Sequence, residues 1–266
     1  MGAIGALALG SAIAAPVRAG DASVLAAAEL RVGVERLAKL RLELAALSDT
    51  ARARDELGRE RSRVIGALET LRGDTTLSTR RRGQVQRLSD GVTAFVERVD
   101  GGPQAAGASW PEVYRDSEAL AAQMSFVSTG LSGEMSDGSR ATLVDLLTRA
   151  AATALRVGKL NFAAAAGPGS QAIAVDVRQA MGEFTAALEA ISGSSLHDQR
   201  MHDELALARN QWVMFSAALN EGGLVKERRR LNDVATTADR IAQSLLAMAQ
   251  RAMRPPVPTE LAARRG

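Results

Sequence analysis

The residues with types suited to chemistry are few, and their spacing excludes most of it. His197 and His202 lie five apart, so they do not share one helix face as an i, i+4 metal pair would, and no third ligand accompanies them. There is no cysteine, which removes disulfides, thiolate metal sites and cysteine nucleophiles. No nucleophile elbow, phosphate loop, HExxH or paired-carboxylate motif is present, and the glycine-rich spots fall at helix ends with no preceding strand. The expectation is a protein that is not an enzyme and carries no metal or cofactor. Trp212 and Phe215, three apart, share a helix face and read as core packing. Arg80-Arg81-Arg82 and Arg228-Arg229-Arg230 stand where helices begin, the end that a helix dipole disfavours for cations. They read as solvated charge, with anionic lipid or an acidic partner as the alternative.

The elements that must position these residues are helical. Hydrophobic residues make up 46% of the 266 and aromatics only 3%, the apolar share being mostly Ala, Leu and Val. Ala and Leu favour helices, whereas sheets lean on β-branched and aromatic side chains. Lys and Arg number 33 against 30 Asp and Glu, a near balance. With one Tyr and two Trp for stacking, nucleic acid is not an expected partner.

Eight helices are expected. The first spans Ala22 to Leu47 and the second Ala51 to Leu71, ending at a Gly73 C-cap signal. The third starts near Thr79 and carries Val85, Leu88, Val92, Phe95 and Val99; it stops at Gly101-Gly102-Pro103. The fourth starts at Ser109-Trp110-Pro111-Glu112, a capping pattern, and carries Leu120, Met124, Val127 and Leu131. The fifth spans Thr142 to Ala166. The sixth carries Ile173, Val177, Met181, Phe184, Leu188 and Ile191. The seventh carries Leu205, Trp212, Phe215 and Leu219, and the eighth Leu231, Val234, Ile241, Leu245 and Met248. Spacings of three and four put each set on one apolar stripe.

Residues Ala3 to Ala15 are nearly all apolar and small, and small-x-small sites follow at Ala12-Ile13-Ala14 and Val17-Arg18-Ala19. This pattern predicts a secretory signal peptide over 1–19 and a periplasmic protein, although no Lys or Arg precedes the apolar run. The remaining chain divides into a first unit over 20–135, a second over 136–253 and a disordered tail over 254–266.

The two units repeat each other. A shift of 120 pairs Lys39-Leu40 with Lys159-Leu160, Ala67-Leu68-Glu69 with Ala187-Leu188-Glu189, and Phe95 with Phe215. A shift of 121 pairs Glu118 with Asp239 and Leu120 with Ile241. Helix breaks recur at the same spacing, which is the stronger sign of internal duplication. The expected fold class is all-α, with two tandem up-down four-helix bundles; separate bundles and one shared array both remain open.

The run from Leu25 to Leu40, with Arg31, Arg36, Ala38 and Lys39, resembles the first-helix motif of the N-terminal sensor domain of type IV pilus methyl-accepting chemotaxis transducers (the PilJ type). That family is related to periplasmic nitrate/nitrite sensor domains. Trp212 and Phe215 resemble its Trp-x-x-Phe pair, and Val234-Ala235 to Ile241 resembles its fourth helix. Ala28, Val32 and Glu35 depart from the motif. The resemblance implies a sensory four-helix bundle that takes a small ligand, often at a helical dimer interface. It implies Arg31 and Arg36 as ligand-binding residues, for a small anion such as nitrate or nitrite, an Arg fork suiting a planar oxyanion. Arg31 corresponds to Ala151 in the second unit, so this site is expected in the first unit only. The bland alternative is a solvated Arg31 pairing with Glu35.

The functional expectation is therefore an exported sensory or ligand-binding protein without its own output domain, acting as a homodimer or through a membrane-bound receptor partner. The alternative is a structural or scaffolding helical protein with no small ligand.

Overall fold

The computed structural model describes residues 19–47, 50–100, 109–133, 137–167, 171–194 and 199–253. The expected signal segment up to residue 18, the Gly101-Gly102-Pro103 stop, His197 and the expected tail lie outside them. The fold is all-α: α1 (Ala19–Ala46), α2 (Ala51–Gly73), α3 (Thr79–Asp100), α4 (Trp110–Ser132), α5 (Gly138–Ala166), α6 (Gln171–Gly193), α7 (Gln199–Ala217) and α8 (Leu231–Ala252). A 3-10 turn, Arg228–Arg230, leads into α8. No helix among the described residues is long and apolar enough to cross a membrane.

The apolar stripes face the core. Val85, Leu88, Val92, Phe95 and Val99 of α3 are buried, as are Leu120, Met124, Val127 and Leu131 of α4. On α7, Trp212 lies between Phe184 and Phe215, with ring centroids at 4.2 and 5.5 Å. Helices α1 and α5 differ: they are buried on nearly every face. A helix apolar all round must be sheathed by others. Each is the centre of its own unit, α1 packing on α2, α3 and α4, and α5 on α6 and α8.

The two central helices also pack on each other, so the units form one shared array rather than two separate bundles. Helix α4 reaches α5, and α8 reaches α1, so the contacts between units come in matched pairs. α1 and α5 run parallel, because their C-terminal ends meet at one side chain. Arg228 donates from Nη2 to the Ala46 carbonyl at 2.8 Å and from Nη1 to the Ala165 carbonyl at 3.1 Å. These carbonyls belong to the final turns, where helices leave acceptors without partners. The sequence placed Arg228 at the unfavourable start of α8; the fold places it at the negative ends of α1 and α5, where a cation is favoured.

Two local expectations change. Helix α2 does end at Gly73, but the only left-handed residue among those described is Gly223, at φ +78°. A Cβ there would stand 2.5 Å from Val177 Cγ1, so glycine lets the α7–α8 turn lie on α6. Asn161 of α5 holds the same turn, accepting from Val225 N at 2.8 Å and donating to the Gly223 carbonyl. Helix α5 starts at Gly138 rather than Thr142, because Asp137 accepts a capping bond from Arg140 N.

Candidate functional site

The residues that repeat between the units meet at the seam. Lys39 and Lys159 are both fully buried. Lys39 Nζ lies 2.6 Å from Asp239 Oδ2 on α8, and Lys159 Nζ lies 2.8 Å from Glu118 Oε1 on α4. Each lysine therefore grips the fourth helix of the other unit. Arginines one turn earlier join them: Arg36 Nε is 3.4 Å from Asp239 Oδ1, and Arg156 holds Glu118 through Nε and Nη2 at 3.0 and 2.7 Å. The motif is Arg-x-x-Lys on a central helix closing on a carboxylate from across the seam. Spacing of three puts both cations on one face. The shift of 120 that pairs the lysines also pairs Arg36 with Arg156.

Desolvation offsets most of the attraction in such buried pairs. Their consequence is specificity: any other register of α4 or α8 would leave buried charges uncompensated. Glu35 completes the Lys159 cluster, with Oε2 2.8 Å from Nζ, while Ser117 Oγ accepts from the ammonium at 2.9 Å. Burial pushes the Glu35 carboxyl above its ordinary range despite the pull of Lys159. Burial acts likewise on Glu118, but Lys159 and Arg156 outweigh it and hold that carboxyl below the usual range.

The two clasps sit in unequal surroundings. Arg36 and Asp239 have side chains 6% and 8% exposed, and Glu60, also on Arg36, 7%. Arg156 and Glu118 are 18% and 27% exposed, and Glu183, on the other side of Arg156, 48%. Gly33 explains the tight side: a Cβ there would be 2.5 Å from Val64 Cγ2, so α2 comes right down onto α1. The corresponding residue on α5 is Thr153. The seam over Gly33 is further bridged by Gln250 donating to Glu29 at 2.9 Å. On the Thr153 side a cleft of about 650 Å³ runs over α5 between α4 and α6. Alanines of α4, α5 and α6 supply much of its wall, and Arg31, Arg149, Arg156, Glu35, Glu118 and Glu183 its charge.

Arg31 lines this cleft, and it is not a solvated side chain paired with Glu35. It is 5% exposed, and Nη1 donates to Asp145 Oδ1 at 2.8 Å. Its buried Nη2 has no acceptor. Arg149 takes the other Asp145 oxygen at 2.7 Å. Arg36 is elsewhere: it belongs to the closed seam, so the two arginines do not share a site. The cleft also draws on both units, whereas the expected site belonged to the first alone. Tyr114 of α4 donates to Asp176 of α6 at 2.5 Å, and burial together with that bond holds its hydroxyl protonated well above the ordinary range.

No group of three or more His, Asp or Glu side chains able to hold a metal occurs among the described residues. Comparison of the chain with protein-family models, with curated proteins and with solved structures gives no match.

Proposed function

We propose that this chain is an exported, periplasmic sensory protein that binds a small ligand in the cleft over α5. In this reading it resembles the input domains of chemotaxis transducers and nitrate sensors. Ligand occupancy would reach a membrane-bound receptor partner through exposed helical faces. The observation that carries the reading is the inequality of the two seams. A repeat that fills one seam and leaves the other open, lined with charge, has kept space that packing alone does not need. Arg31, with a donor lacking an acceptor, supports a polar ligand such as nitrate or nitrite at that corner.

The test is thermal denaturation with nitrate, nitrite, related anions and a broad metabolite panel. Ligand bound only to the native state raises the midpoint, by about 2.7 kcal/mol of stabilisation at a hundredfold excess over Kd. Arg31→Ala is expected to abolish that rise. No rise across the panel favours the scaffolding reading, which draws on α7. There Leu207, Val213 and Met214 are 52%, 63% and 74% exposed, an apolar surface suited to another protein.

A further inference from the structure

We infer that the occupant of the cleft is an extended zwitterion, with its carboxylate at the Arg31–Arg149 corner and its ammonium at Glu183, beside the Arg156–Glu118 pair. The inference rests on the ligand-binding reading above and narrows it to a chemical class.

The argument is one of local charge. At one end Arg31 and Arg149 share a single carboxylate, Asp145, each holding one of its oxygens. Two cations against one anion leave that corner with a formal excess of one positive charge. At the other end Arg156 stands between two carboxylates, Glu118 at 2.7 Å and Glu183 at 3.6 Å. Behind it Lys159 also reaches Glu118, at 2.8 Å, and Glu35 balances that lysine, so the corner keeps a formal excess of one negative charge, which falls to Glu183 at its exposed edge. Arg149 and Glu183 are 54% and 48% exposed, so both corners can meet a ligand from solvent. A lone anion would satisfy the first corner and face repulsion at the second; a lone cation would do the reverse.

Spacing sets the length. Arg149 and Arg156 are two helical turns apart on α5, about 10 Å of rise. An α-amino acid carries its charges on neighbouring carbons and does not span that. An ω-amino acid or a short peptide does, and its apolar middle lies on the alanine wall between the corners.

The experiment is calorimetric titration of the whole chain with 6-aminohexanoate, hexanoate, hexylamine and nitrate. The expected result is that 6-aminohexanoate binds at least tenfold more tightly than either single-charge analogue or nitrate. Two exposed substitutions locate the ends. Arg149→Gln is expected to weaken 6-aminohexanoate about tenfold while leaving hexylamine unchanged. Glu183→Gln is expected to weaken it comparably while leaving hexanoate unchanged, as befits loss of one charge-assisted contact. Binding of nitrate or hexanoate as tight as that of 6-aminohexanoate overturns the zwitterion inference but leaves the ligand-binding reading standing. No binding by any probe here, together with no thermal response to the metabolite panel, overturns both.

Discussion

Lys159→Met is expected to cost about 3–5 kcal/mol of stability, measured by urea denaturation at neutral pH. The side chain is fully buried, and its loss strands Glu35, itself 3% exposed, without its nearest cation. Glu118 suffers less, since Arg156 still holds it through two bonds. Two further results follow. The double variant Glu35→Gln/Lys159→Met is expected to recover much of the loss, because it removes the stranded charge as well as its partner. The deficit of the single variant is also expected to shrink as pH falls. Glu35 has a folded-state value raised above the ordinary 4.5. Its contribution to stability is therefore fully present below about 4.5 and is lost as pH rises through the folded value, since there the folded state holds a proton that the unfolded chain has released. Removing Lys159 pushes the folded value higher and widens that window. A deficit that is the same at pH 5 and pH 7.5 would show that Glu35 is not the stranded group.

The second large effect is an inequality. Asp239→Asn is expected to cost about 3–5 kcal/mol, and Glu118→Gln only about 1–2 kcal/mol, although the two acids correspond in the repeat. Asp239 neutralises Lys39 and Arg36 in the filled seam and also lies 3.6 Å from Arg52. Its loss leaves Lys39 with Glu43 alone, at 3.3 Å. Glu118 borders the open cleft, where solvent screens the cations it leaves behind, and Lys159 keeps Glu35. Equal costs would mean that the two seams are equally closed, and the cleft would lose its standing as a retained site.

The helices that bury one face were legible from sequence. The stripes on α3, α4, α6, α7 and α8 follow directly from spacings of three and four, and nearly all their members lie in the core. The central helices were harder to place. α1 and α5 are apolar round most of their circumference, so they show no stripe that points to a neighbour. Arg31 then reads in the bland alternative as a solvated position, although it is buried. The same local sequence would serve a lysine that paired within its unit or across the seam, so the crossed clasps could not be read from spacing. The contrast of Gly33 with Thr153 was equally visible and equally mute. It acquires meaning only once α2 is seen to descend onto α1 while the α5 side stays open.

The absence of cysteine makes the central arrangement directly measurable. Spin labels attached at Ala45→Cys and Ala166→Cys report the distance between the C-terminal ends of α1 and α5 by pulsed electron resonance. Parallel central helices joined at Arg228 predict a single distance below about 25 Å, the helices being packed neighbours with label arms added. A distance near 40 Å, about the length of either helix, would place the ends at opposite poles and contradict the shared, two-fold core on which the clasps and the cleft depend.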